Sequence, residues 1–154
     1  MKAEYANVFI RSAISVFQHE TKIHLSRKDL TKKDSPQSKL PISIILGVTG
    51  YIQGQVVYGM DQNFAYHVAH AMMPNKLPAE IKKLENSAVS EIANIITGQA
   101  TIALAGENEL ISITPPAVIM GKNIKIDFLE TPTIALNLIS EIGTLEINIA
   151  LIEN

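Results

Sequence analysis

The chain is expected to fold as an α/β (α+β) protein, one domain over residues 1–154, with about three helices packed on a largely antiparallel β-sheet. Three observations predict this. Apolar residues recur at helical spacing in separate stretches of the first two thirds, β-branched residues alternate with period two through the last third, and neither a linker nor an internal repeat divides the sequence. A chain of 154 residues buries roughly 70% of the surface its unfolded form exposes, enough to fold without a covalent or metal staple.

Taken in order, Ala6, Phe9, Ile10, Ala13, Ile14 and Phe17 place an amphipathic helix from Ala3 to about His19. Arg27 to Lys39 is charged and interrupted by Pro36, a solvated connection with a short strand near its start. Ile42–Val48 and Gln55–Tyr58 are β-branched runs on either side of Thr49–Gly54, a hairpin with a glycine-containing turn. Gly50 and Gly54 do not make a phosphate loop, which needs a helix N-terminus and Lys-Ser/Thr after the last glycine; Gly121-Lys122 fails likewise. Asp61 caps a helix to about Met73, with Phe64, Val68, Ala71 and Met72 inward and Pro74-Asn75 as its stop.

Pro78 starts the longest helix, Glu80 complements the dipole in its first turn, and the pattern runs to Ala105-Gly106. A strand from Leu110 to Thr114 is stopped by Pro115-Pro116, and a second short strand follows at Ala117–Met120. Alternation then marks three antiparallel strands: Ile124, Ile126, Phe128; Ile134, Leu136, Leu138; and Leu145, Ile147, Ile149, Leu151.

Composition narrows the chemistry. With no cysteine there is no thiolate metal site, disulfide or cysteine nucleophile. A net charge of −2 gives no electrostatic case for nucleic acid or an anionic membrane. No apolar run reaches the ~18 residues of a membrane span, and the start Met1-Lys2-Ala3-Glu4-Tyr5 carries no leader pattern; a cytoplasmic location is expected. His67 and His70 stand at i, i+3, but zinc needs three or four ligands, so they read as solvated or structural, and a metal-dependent hydrolase is the weakest of the functional readings.

On the long helix, ~100° per residue puts Leu84, Ala88, Val89, Ile92, Ala93, Ile95, Ile96, Ala100 and Ala103 over more than half the circumference. The remaining strip holds Lys83, Ser87, Ser90, Glu91, Asn94, Thr97, Gly98 and Thr101. A merely wet face tends to carry long helix formers, whereas Ser, Asn, Thr and Gly each cost up to ~1 kcal/mol relative to Ala. Glu91 and Asn94, its largest polar groups near the middle, are the candidate catalytic pair. No base is tied to Ser87 or Ser90, so covalent catalysis is disfavoured. A carboxylate can dock an ammonium group and an amide can orient a water, the assistance that phosphoryl transfer rewards.

Ser87-x-x-x-Glu91-x-x-Asn94, with Ile113-Thr114-Pro115-Pro116 and Val118-Ile119-Met120-Gly121, resembles the CheC/CheX/FliY family of chemotaxis phosphatases over nearly the whole chain. The single motif and short chain are similar to its CheX-like branch. The resemblance implies hydrolysis of the aspartyl phosphate on CheY or a similar response-regulator receiver domain, with Asn94 orienting the attacking water and Glu91 pairing with the partner's active-site lysine. Ser87 and Pro115 would support rather than react. Mg²⁺ would belong to the partner, with no cofactor bound by this chain. The resemblance also implies a homodimer through sheet edges, supplied by the alternating C-terminal strands. Ala93 departs from the glycine frequent in relatives, which bears on close packing or partner fit. A noncatalytic module that binds a receiver domain or a flagellar-switch component is the alternative.

Overall fold

In the computed structural model, which describes residues 3–154, the order is α1 (Ala3–Thr21), β1 (Ser26–Lys33), β2 (Ile42–Gly50), β3 (Ile52–Met60), α2 (Gln62–Met72), α3 (Pro78–Leu104), β4 (Ile111–Ile113), β5 (Ala117–Met120), β6 (Thr133–Ser140) and β7 (Gly143–Glu153). Met1 and Lys2, the first two residues of the stretch Met1–Tyr5 that bears on a leader, lie outside the described residues. The helix starts and stops follow local chemistry. Asp61 Oδ1 accepts from Phe64 N at 2.8 Å, the side-chain cap expected for α2. Asp61→Ala should therefore lower stability by about 1 kcal/mol, read as a smaller urea midpoint at unchanged slope. At the end of α1, Thr21 Oγ1 donates back to Phe17 O at 2.6 Å, and Lys22 turns the chain out at φ 62°.

The strands form one antiparallel sheet in the order β1-β6-β7-β3-β2-β4, with β5 also paired to β2. Alternate residues of its central strands, among them Ile44, Leu46, Val56, Leu136, Ile147 and Ile149, share one core with Phe9 and Phe17 of α1, Phe64 and Val68 of α2, and Val89, Ile92 and Ile96 of α3. The opposite face is covered in part by the chain between β1 and β2. Lys33 Nζ donates to Gln37 O, to Asn148 Oδ1 at 2.8 Å and to Glu146 Oε1 at 3.3 Å, satisfying polar groups of fully buried Asn148.

Four expectations are corrected. The charged stretch after Arg27 is more than a connection: β1 runs eight residues along β6, with a register shift between Arg27 and Asp29. Tertiary pairing makes this strand, and its lysines suit an exposed edge. Conversely, Ile124, Ile126 and Phe128 form no strand. The Gln37 side chain takes the place of a neighbouring strand, accepting from Ile126 N at 2.8 Å and donating to Ile124 O at 3.4 Å, while Phe128 N turns back to Ile126 O. The hairpin strands are also longer than the β-branched runs, because β2 continues onto β4 and β3 onto β7 after their mutual pairing ends at Val48 and Gly54. Finally, β6 and β7 lie inside the sheet, and its edges are β1 and β4/β5.

Candidate active site

The long helix α3 packs against α1 and α2 and reaches the edge strands β4 and β5. Its buried face includes Ile81, Ala88, Val89, Ile92, Ala93, Ile96 and Ala100. Ser87, Glu91 and Asn94 are exposed. At i, i+3 spacing Glu91 and Asn94 have Cβ atoms about 5–6 Å apart, and among the described residues no group takes up either side chain. Both therefore project unengaged from a well-packed helix.

Underneath them the helix is hydrogen-bonded to the sheet. Thr97 and Thr101, expected on the accessible strip, are buried. They stand at the border of the strip, where the sheet closes over the helix. Thr97 Oγ1 donates to Ala93 O at 2.8 Å, so the hydrogen bond of 2.7 Å between Thr97 Oγ1 and the Tyr58 hydroxyl runs from the tyrosine. Burial pushes the Tyr58 hydroxyl well above the usual tyrosine range, which keeps that donor protonated. The relay leads from the centre of β3 to the carbonyl of the peptide that joins Ala93 to Asn94. Tyr58→Phe should leave Thr97 without its donor and lower stability by about 1 kcal/mol, seen as a fall in Tm of about 2–4 °C.

Glu85, also unremarked in the sequence, is buried between α2 and α3, where Gln62 Nε2 donates to its Oε1 at 2.9 Å. At the next residue, Asn86 Nδ2 contacts Met120 Sδ at 3.0 Å and ties α3 to β5. Pro115 is exposed where β4 gives way to β5. The edge is clasped there by Thr114 N donating to Gly47 O and Gly47 N donating to Thr114 Oγ1, at 2.9 and 2.8 Å. The two prolines, lacking N–H groups, interrupt the pairing with β2 and shift its register.

Glu91 and Asn94 line none of the larger concavities. Two of the larger concavities, of 560 and 460 Å³, are lined by Lys22–Ser26 with Ile139–Ile142 and by Lys32–Asp34 with Glu130–Ile134, without any residue of α3. Small-molecule sites are concave; a protruding carboxylate and amide suit entry into a partner's cleft instead. His67 and His70 are exposed, His67 Nδ1 meeting Asn63 O at 2.8 Å and His70 stacking on Tyr66 at 6.5 Å. Among the described residues no three His, Asp or Glu side chains gather as a metal site.

Residues 42–137 match the family described as the chemotaxis phosphatase CheX. A relative, the CheY-P phosphatase CheX of Thermotoga maritima, is 31% identical over 90 residues, which are 57% of this chain and 58% of that protein. The match thus spans a little over half the length of that relative. Among solved structures, the CheX-CheY-BeF3-Mg²⁺ complex from Borrelia burgdorferi contains a similar chain, 25% identical at TM-score 0.78, with 99% of this chain and 100% of that one covered. A chemotaxis protein CheX from Desulfovibrio desulfuricans shares the fold at TM-score 0.81 and 24% identity, over 98% of this chain and 99% of that one.

Proposed function

The chain belongs to the chemotaxis phosphatase CheX family, and on that premise we propose that it is a protein aspartyl-phosphate phosphatase acting in the cytoplasm on CheY or a similar response-regulator receiver domain. The single observation that carries this reading is the Glu91/Asn94 pair, exposed, without a partner among the described residues, and held on a helix whose underside is hydrogen-bonded to the sheet. The relatives agree in kind: one is named for hydrolysing CheY-P, and another was solved with CheY.

The chemistry needs little from this chain. Glu91 docks the ammonium group of the partner's active-site lysine through a charge-assisted hydrogen bond. The Asn94 amide accepts from the attacking water while donating to a phosphoryl oxygen, holding the water in line. The water oxygen bonds to phosphorus as the bond from phosphorus to the aspartyl oxygen breaks. The partner's aspartate carboxylate is regenerated, inorganic phosphate is released, and the surplus proton passes to phosphate or solvent. The partner would hold the Mg²⁺, which would supply charge neutralisation at the phosphoryl oxygens. Ser87, one turn before Glu91, and Pro115, at the kinked edge, support the surface around the pair.

The test is turnover. A substoichiometric amount of the chain should release phosphate from many equivalents of phosphorylated receiver; saturable binding with an unchanged phosphate lifetime would select the noncatalytic binding module instead. Pairing of two copies through sheet edges is part of the same reading. With β6 and β7 inside the sheet, β1 or β4/β5 must supply the contact, and light scattering gives the mass in solution.

A further inference from the structure

Two residues beyond the motif are left unexplained by the fold. Gly98 sits in the interior of α3, where glycine weakens a helix. Nothing in the packing requires it: a Cβ there would meet only Ile113 Cδ1, at 4.0 Å. Ile102, one turn further on, leaves 78% of its surface in water. A single exposed isoleucine is unremarkable, but its position is informative. On an ideal helix Leu84, Gly98 and Ile102 all fall within about 20° of the azimuth of Glu91, and Leu84 and Ile102 stand about 10 Å and 16 Å from it along the axis. Leu84, expected from its type on the buried side, is also exposed, at 38%, because its azimuth is close to that of Glu91. Between these two apolar side chains the face carries one charge, Glu91 itself.

We propose that receiver docking extends beyond the pair, with Gly98 as the clearance that admits a loop of the receiver beside Asn94 and Ile102 as the apolar contact that anchors it. The inference rests on the phosphatase reading above. Receivers are doubly wound α/β domains whose active crevice lies outside the carboxyl ends of the strands, walled by loops. For Glu91 and Asn94 to enter that crevice, loops on both sides must settle on α3 beyond the pair. The length from Leu84 to Ile102, about 27 Å, suits the roughly 800 Å² that each side of a standard interface buries.

Steady-state dephosphorylation of one phosphorylated receiver tests this with Ile102→Asp and Gly98→Ala. Ile102→Asp should raise KM at least about tenfold, the effect of burying an unpaired charge in an interface, with kcat within about twofold of wild type. Gly98→Ala should raise Tm by about 1–4 °C through helix propensity while also raising KM, a combination that a purely structural glycine would not produce. Leu129→Ser, 87% exposed in the segment after β5, controls for general surface apolarity and should leave both constants unchanged. An active wild type whose Ile102→Asp and Gly98→Ala variants keep its KM overturns the docking assignment alone. A wild type that neither binds nor dephosphorylates receivers overturns the phosphatase reading and this inference with it.

Discussion

Asn94→Ala is expected to return phosphate release from a receiver domain to the receiver's own rate, a loss of about 10²-fold or more in the acceleration. The amide is asked for two things at once, a donor and an acceptor fixed relative to each other, and alanine has neither. Asn94→Asp should be equally inactive despite its shape, because a second negative charge would face the phosphoryl group. Asn94 is exposed and unpartnered, so neither change should disturb folding. Glu91→Ala removes a charge-assisted hydrogen bond worth about 1.5–3 kcal/mol, or roughly 10- to 100-fold in kcat/KM. Initial rates of phosphate release across receiver concentrations separate the two residues: Asn94 should act on kcat, and Glu91 should also raise KM.

Gly54→Ala is expected to be the most damaging single substitution for stability. Gly54 adopts φ 142°, in the region that side chains rarely enter, and a Cβ there would lie 1.9 Å from the carbonyl oxygen of Ala150 and 3.2 Å from Leu151 Cα. These are backbone atoms of β7, so relief requires displacing a central strand. Backbone strain of about 1–3 kcal/mol and a similar overpacking term act together. Loss of about 3 kcal/mol or more should appear in denaturant unfolding, with poor soluble yield if the margin is smaller than that.

How far residues betray their structure depended on which partner decides their fate. Asp61 and Pro78 announce helix starts through purely local chemistry, and both helices begin there. Ile134–Leu138 and Leu145–Leu151 show their faces because one side of each strand meets the apolar core. The edge strand β1 was understated because pairing with β6, rather than any apolar pattern in Ser-Arg-Lys-Asp-Leu-Thr-Lys-Lys, makes it a strand. Ile124–Phe128 misled in the opposite way: alternation records a half-covered extended chain, but the hydrogen bonds go to Gln37, distant in sequence.

At the site, Glu91 and Asn94 were visible as large polar groups on an otherwise apolar helix, and the structure leaves them exposed. Thr97 and Thr101 were assigned to the same strip because helical projection cannot say how far the sheet edge wraps around α3. Tyr58 carried no local signal at all. It supports the site from a strand 39 positions away from Thr97 in sequence. Gly98 was seen only as a small residue on the strip, and its open surroundings gave it meaning.

The central claim is that this chain supplies the water-positioning amide of an active site whose phosphoryl group arrives on a partner. The most direct measurement compares binding and chemistry in one variant. Asn94→Ala should bind a beryllofluoride-loaded receiver with an affinity within about threefold of wild type, since the claim assigns Asn94 little ground-state binding, yet add nothing to phosphate release from the same receiver. An Asn94→Ala protein that accelerates phosphate release as well as wild type would contradict the account.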